Sequence, residues 1–241
     1  MKNEESCNKM KVVILAAGKG TRMLPLTETI PKVLVKVKGK PFLYYVLKNL
    51  QQAGYTEFCL VVGYKKEKIK SFLEEYGFKA KLVEQKEQLG TGHALLQVKS
   101  FCGKENFISI GGDNLCSVKD FKAIAKEDDY IYVAGIHSES PEKYGVLIKD
   151  ENNNLIEIKE KPKKFVGNLI NTALYKFTPK IFEALEQVKE SERREYELPD
   201  ALTLLAKQGK VKVIKIKDYW LDLGCKEDIP KVEAFLKRLG L

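Results

Sequence analysis

The sequence predicts an α/β protein of three layers, with helices on both faces of a mostly parallel sheet and a smaller second lobe. Three observations carry this. Strand-like and helix-like periods alternate up to about residue 110, the pattern of parallel strands joined by crossover helices. An apolar run, Val12, Val13, Ile14 and Leu15, collapses into Ala16, Ala17 and Gly18, which reads as a buried strand whose end lets a ligand approach the backbone. After about Asp129 the alternation gives way to successive strands separated by turn signals.

The elements follow in order. Residues 12–15 form the first strand. Beyond a long loop, 33–37 alternates apolar and basic residues, and Lys38-Gly39-Lys40 is a turn. Pro41 suits the first position of a helix running to about Ala53 and stopped by Gly54. Phe42, Val46 and Leu50 recur at helical spacing, and Leu43 and Leu47 widen the stripe. Strands at 57–62, 79–83 and 107–110 alternate with helices at 65–76, closed by Gly77, and at 92–98. In the second half, 130–136, 145–149, 155–159 and 169–177 are strand-like, with Glu151-Asn152-Asn153-Asn154 a turn between two of them. Helices cover 179–188 and 198–208, a strand covers 211–216, and Tyr219-Trp220-Leu221-Asp222 follows. A last helix, 226–239, turns Ile229, Val232 and Phe235 inward. Nothing reads as a linker, an internal repeat or a low-complexity stretch. The expectation is a single domain over 1–241 with halves at about 11–129 and 130–241.

Composition bounds the function. The chain has 241 residues, 44% hydrophobic and 31% charged, enough for a real core under a solvated surface. The formal charge of +9 favours anionic ligands. The lysines are dispersed, however, and no nucleic-acid-binding motif accompanies them. The five cysteines are odd in number and contain no Cys-x-x-Cys pair, and Cys59 lies in the apolar run FCLVV. That argues against a disulfide framework or a zinc site and for a reducing compartment. Residues 1–10 lack the apolar segment of a signal peptide, and no stretch reaches membrane-spanning length. A soluble cytoplasmic protein is expected.

The loop after the first strand carries two cations, Arg22 and Lys32, and two prolines, Pro25 and Pro31. Cations beyond the carboxyl end of a buried strand point to phosphate chemistry. Arg22 offers a planar fork and Lys32 a compact mobile charge. The loop is not a Walker A sequence, since no Gly-Lys-Ser/Thr follows at the required spacing. Met23 stands where a dinucleotide fingerprint needs its third glycine. Taken alone, the loop also admits an ordinary tight turn followed by surface cations. His93, single on a first helical turn, reads as structural. Asp128 and Asp129 read as solvated charges at a helix end.

LAAGKGTRMLPLT followed by PKVLVKVKGKPFLYYVL resembles the signature of the sugar-phosphate nucleotidyltransferases, the nucleotide-sugar pyrophosphorylases. Arg22, Pro25, Pro31, Lys32, Gly39, Lys40 and Pro41 all stand at that family's positions. The resemblance continues through QKEQLGTGHA, Gly-Gly-Asp-Asn at 111–114, Tyr144-Gly145-Val146, Lys-Glu-Lys-Pro at 159–162 and Trp-Leu-Asp-Leu-Gly at 220–224. It covers nearly the whole chain.

The resemblance implies a Rossmann-like sheet of the nucleotide-diphospho-sugar transferase type, with a nucleotide half, then a sugar and metal half. Leu15, Ala16, Ala17, Gly18 and Gly20 would approach the nucleotide, and Gln85, Gln88, Gly90 and Thr91 would read a uracil-type base. A glutamine amide, donor and acceptor at once, suits a pyrimidine edge. Arg22 and Lys32 would hold the triphosphate and the departing pyrophosphate. Asp113 and Asp222 would be Mg²⁺ ligands, since two carboxylates at strand ends can share one cation with phosphate oxygens and water. Gly145, Glu160, Lys161, Asn171 and Thr172 would bind the sugar phosphate. Glu197-Leu198-Pro199-Asp200 resembles a further segment of the sugar lobe. Ala173 departs from the family, which usually has glycine there, and this bears on the shape of the sugar pocket.

The activity implied is that of a Mg²⁺-dependent transferase. It would make a nucleotide-sugar and pyrophosphate from UTP or dTTP, UTP favoured, and glucose 1-phosphate or N-acetylglucosamine 1-phosphate. Its partners would be these small molecules, with neither nucleic acid nor membrane. A homo-oligomer is compatible with the sequence. The alternative is a non-catalytic regulatory subunit that binds nucleotide-sugars, but the presence of Arg22, Lys32, Asp113 and Asp222 favours the enzyme. A bifunctional relative would add an acyltransferase-type β-helix. No hexapeptide repeat is present, so a monofunctional transferase is expected.

Overall fold

The computed structural model describes residues 10–240. Cys7 and the polar residues around it lie outside the described residues. The chain opens with β1 (Lys11–Ala16), three single 3-10 turns and a small hairpin, β2 (Lys36–Val37) with β3 (Lys40–Pro41). Lys38 and Gly39 between them both have positive φ, 48° and 79°, as a two-residue hairpin turn requires. Pro41 pairs within β3 and caps the helix instead of starting it, so α1 is Phe42–Gln52. Then come β4 (Phe58–Val62), α2 (Lys66–Tyr76), β5 (Lys81–Glu84), α3 (Thr91–Leu96), α4 (Lys99–Cys102) and β6 (Phe107–Gly111). The second half contributes β7 (Asn114–Cys116), α5 (Val118–Ile124), β8 (Ile131–His137), β9 (Gly145–Lys149), β10 (Leu155–Glu160) and β11 (Leu169–Phe177). The chain continues with α6 (Lys180–Leu185), α7 (Leu198–Ala206), β12 (Val211–Lys215), β13 (Trp220–Asp222) and α8 (Ile229–Arg238).

Among the described residues nine strands form the main sheet, and β1 lies between β4 and β6. The four strands β6, β1, β4 and β5 run parallel. β12 is also parallel to β8, while β11 runs antiparallel to β6, β8 and β9. β11 therefore joins the two halves. Leu174 to Phe177 pair with β6, and Leu169 to Asn171 pair with β8. The register against β8 breaks between Asn171 and Tyr175, a bulge in which Ala173 takes φ 55°. β7 and β13 make a separate antiparallel pair that sets Asp222 opposite Asn114.

The three layers follow from alternation along the strands. Val12, Ile14 and Ala16 face one apolar layer with Phe42, Val46, Leu50, Ile69, Phe72 and Leu236. Val13 faces the other, with Leu95, Phe107, Phe182 and Leu202. Val12, Val13 and Ile14 have no exposed surface. Burying each of these side chains contributes roughly 1.5–3 kcal/mol, and the burial fixes where β1 ends and the loop begins. In the last helix Val232 and Leu236 are the buried residues, and Ile229 is partly buried. Phe235 lies at the margin, its ring tilted against that of Tyr219 with centroids 5.0 Å apart.

Asp128 is partly exposed, but it is not a free helix-end charge. Tyr132 Oη donates to it at 2.7 Å, and its carboxylate pairs with the fully buried Lys176 at 3.3 Å. Lys176 also donates to the Asp128 and Tyr130 carbonyls. Burial drives the Lys176 pKa below its usual value, against the opposing pull of Asp128. Tyr132 is pushed up to about 12 by burial and by Asp128.

Candidate active site

A cleft of about 570 Å³ opens at the carboxyl ends of β1 and β6. This is the edge at which doubly wound sheets bind ligands. Leu15, Ala16, Ala17, Gly18 and Gly20 form its floor, and Thr21, Arg22 and Lys32 one side. The loop is anchored, not free: Met23 is fully buried, and buried Thr27 donates to the Gly20 carbonyl at 2.8 Å. Gly20 has φ 64°, and a Cβ there would stand 2.8 Å from Lys32 Cβ. The turn thus needs glycine both for its conformation and for the close passage of Lys32.

Lys32 Nζ pairs with Asp113 Oδ2, and both side chains are largely shielded from solvent. Asn114 Nδ2 donates to Asp113 Oδ1 at 2.9 Å. Asp222 approaches from β13, and Leu223 N donates to the Asp113 carbonyl at 2.9 Å. Burial first, then the Asp113 carboxylate, raises the Asp222 pKa to about 7, against the pull of Lys32 and Arg22. Two shielded carboxylates, Asp113 beside an Asp222 whose charge it disfavours, with hard oxygen donors only, fit a divalent cation such as Mg²⁺. Among the described residues no group of three or more His, Cys, Asp or Glu side chains gathers to hold a metal. A cation between Asp113 and Asp222 would therefore complete its shell with phosphate oxygens and water.

On the opposite side Gln85 is buried and donates to the Gly90 carbonyl at 3.1 Å. Its amide also meets His93 Nδ1 at 3.0 Å, and Gln97 lies 3.2 Å from His93 Nε2. His93 is thus a brace between two amides, as its sequence context suggests. Gln88 and Thr91 line the cleft beside them. Gly90 adopts φ 96°, ψ 174°. There the backbone meets residues 195–196: Tyr196 N donates to the Leu89 carbonyl and Gly92 N to the Tyr196 carbonyl, each at 2.8 Å.

Glu160, Asn171, Ala173 and Tyr175 form the remaining wall. Asn171 is held from both ends: its Nδ2 donates to Tyr175 Oη at 2.7 Å, and its Oδ1 accepts from Ala173 N at 3.0 Å. Burial pushes the Tyr175 phenol far up, so it remains a neutral hydrogen-bonding group. Gly145 packs behind Glu160, and a Cβ there would come within 2.9 Å of Glu160 Oε2. Lys161 is exposed at the start of the following loop, with φ 42° and its amide on the Tyr144 carbonyl at 3.0 Å. Thr172 is brought near but turned away. Its side chain is fully buried, with Oγ1 donating to the Ala134 carbonyl at 2.9 Å, so its hydroxyl does not face the cleft.

The structure adds Asn114, Tyr175, Arg193 and Glu195 to the cleft lining. Arg193 Nη2 donates to Glu197 Oε1 at 2.8 Å. The charged run 192–195 has no periodicity that would have marked these residues, and only the fold carries them to the Gly90 turn.

Fold and cleft together define an α/β protein built to take an anionic ligand at the carboxyl edge of its parallel strands. The chain belongs to the nucleotidyl transferase family, whose family model matches residues 11–238. It is 41% identical over 228 residues to the bifunctional protein GlmU of Methanocaldococcus jannaschii, a match covering 94% of this chain and 54% of that protein. It is 37% identical over 236 residues to the UTP–glucose-1-phosphate uridylyltransferase AglF of Haloferax volcanii, covering 95% of this chain and 97% of that one. A crystal structure of UDP-glucose pyrophosphorylase complexed with UDP-glucose superposes with a TM-score of 0.86 at 28% identity, covering 95% and 99% of the two chains. The chain spans about half the length of several of the curated relatives it matches. Among the described residues no helix is long and apolar enough to cross a membrane, and the four described cysteines are unbridged.

Proposed function

We propose that this protein transfers a uridylyl group from UTP to a hexose 1-phosphate, releasing pyrophosphate and a nucleotide-sugar, with dTTP as the weaker nucleotide. The observation that carries this reading is the single cleft in which the Arg22–Lys32 loop, the Gln85–Gly90 turn, Asp113 and the Glu160–Asn171 wall converge. Likeness to a uridylyltransferase over nearly its whole length supports UTP and glucose 1-phosphate. On this reading residues 11–129 hold the nucleotide and 130–241 the sugar.

A sugar phosphate is already ionised near neutral pH, so the reaction needs no protein nucleophile and no general base. A phosphate oxygen of the hexose 1-phosphate attacks the α-phosphorus in line. The new O–P bond forms as the bond from the α-phosphorus to the bridging oxygen breaks, and that electron pair leaves with pyrophosphate. Catalysis then rests on alignment and on neutralising charge. Arg22 and Lys32 neutralise the triphosphate. The Gln85 and Gln88 region, with Gly90, seats the base. Lys161 draws in the attacking phosphate, and Glu160 and Asn171 accept and donate hydrogen bonds to sugar hydroxyls. Asp113 and Asp222 would hold Mg²⁺, which when bound supplies further charge neutralisation at the phosphates. The presence of Arg22, Lys32, Asp113 and Asp222 speaks against a purely regulatory nucleotide-sugar binder. The four described cysteines, all unbridged, support a reducing, cytoplasmic compartment.

The test is pyrophosphate release measured with UTP, dTTP, ATP and GTP, each against glucose 1-phosphate and N-acetylglucosamine 1-phosphate. Turnover with UTP and one hexose 1-phosphate is expected. Tight binding of nucleotide-sugar without pyrophosphate release from any pair would overturn the reading.

A further inference from the structure

Trp220 is the only tryptophan in the chain, and its indole N–H is shared between two acceptors from different parts of the fold. It donates to Asn114 Oδ1 at 2.9 Å and to the Thr172 carbonyl at 3.0 Å. Asn114 is buried, and its other amide atom, Nδ2, donates to Asp113 Oδ1 at 2.9 Å. Thr172 lies in the β11 bulge, between the cleft-lining Asn171 and Ala173. Trp220 itself stands two residues before Asp222 on β13, and its ring packs edge-on against Tyr144 at 5.5 Å.

An indole N–H can only donate. Facing it, the Asn114 amide must present oxygen, and this turns its NH₂ group toward Asp113. Reversed, the amide would set its oxygen against the Asp113 carboxylate. The indole therefore fixes the orientation of an amide that in turn fixes a carboxylate. The same N–H holds the carbonyl of the bulge that shapes the opposite wall of the cleft.

We propose that Trp220 and Asn114 act as positioning residues: a relay from the β11 bulge through Trp220 and Asn114 orients Asp113 for a divalent cation. This rests on the reading of Asp113 and Asp222 as the cation site. Trp220 links the two carboxylates doubly, by its place on the Asp222 strand and by its hydrogen bond to Asn114, which in turn holds Asp113. Partners of this kind typically alter cation affinity by about 10- to 100-fold when removed.

The probe is Mn²⁺ alone, titrated into the full chain and followed by electron paramagnetic resonance of the free ion, with circular dichroism as the control for folding. Trp220→Phe keeps an aromatic ring against Tyr144, though a smaller one, and deletes the N–H; Asn114→Ala deletes the amide. Each is expected to raise the Kd for Mn²⁺ roughly tenfold. The double variant should be no worse than either single one, because both interrupt one chain of contacts. A merely structural role for the indole would lower the melting temperature and leave the Mn²⁺ Kd in place. Folded Trp220→Phe protein with a Kd within about twofold of wild type overturns the relay, and so do effects that multiply in the double variant. A wild-type chain that binds no Mn²⁺ overturns the cation assignment and the relay with it. Wild-type binding that Trp220→Phe leaves untouched overturns the relay alone.

Discussion

Gly90→Ala is the substitution whose cost can be worked out most directly. Gly90 lies at φ 96°, ψ 174°, a region open essentially to glycine alone, where another residue costs on the order of 1–3 kcal/mol. A Cβ there would also sit 2.7 Å from the Tyr196 carbonyl oxygen, 3.0 Å from Tyr196 N and 2.9 Å from Glu195 Cβ. Two of those three neighbours are backbone atoms, so no side chain can swing aside. The chain can escape by lifting residues 195–196 off the turn, at the expense of the Tyr196–Leu89 and Gly92–Tyr196 hydrogen bonds, about 1 kcal/mol each. The φ strain persists on this route, so the loss in stability is about 3–5 kcal/mol. Urea unfolding measures it. Because the displaced segment carries Arg193 and Glu195 of the cleft wall, the KM for UTP should rise as well. A binding penalty of about 2 kcal/mol corresponds to roughly a 30-fold increase. An unfolding free energy within about 0.5 kcal/mol of wild type, together with an unchanged KM, would show that the Gly90 turn neither needs glycine nor seats the nucleotide.

Three further outcomes can be measured. Asp222→Asn should cut initial rates of pyrophosphate release on the order of 100-fold with the fold intact by circular dichroism; near-normal turnover at limiting Mg²⁺ would remove Asp222 from the cation site. Lys161→Ala should raise the KM for the hexose 1-phosphate about tenfold and change kcat much less; an unchanged KM would exclude it from holding the attacking phosphate. Lys176→Met should destabilise the protein by about 2–3 kcal/mol in urea unfolding, because the Asp128 and Tyr130 carbonyls lose a buried donor; an unaltered midpoint would show that water replaces the ammonium without loss.

Much of the fold was legible because it is written in local periods. The strands at 145–149 and 169–177 stand where the alternation put them, and the helix before Gly77 ends on that glycine at φ 71°. The unread elements are those whose cause lies far away in the chain. β7 is three residues long and exists because β13 pairs with it. α5 is short, but its signal was present: Ser117 caps it by accepting from Asp120 N at 3.0 Å, a Ser-x-x-Asp start of the kind that opens helices. The buried Asp120 carboxylate then holds the Lys217 and Asp218 amides, steering the chain into β13. In the site, the glycine-rich loop and Asp113 could be read from an apolar strand ending in small residues. Asp222 became meaningful only through resemblance, since β13 has no period of its own. Thr172 misleads because the bulge turns its hydroxyl toward β8 while leaving its neighbours on the cleft.

β11 also governs how this protein can be recombined. One strand gives its amino-terminal part to the wall of the cleft and its carboxyl-terminal part, Leu174 to Phe177, to the edge of β6. Exchanging the second half for a relative's, to change which sugar is accepted, therefore exchanges the strand that seals the first half. A chimaera joined near residue 129 will pair a foreign β11 with the native β6, and its success will depend on how Leu174 and Phe177 fit beside Ile110 and Phe107. The productive unit of exchange is smaller: the bulge itself, residues 171–175, grafted between ends that remain native.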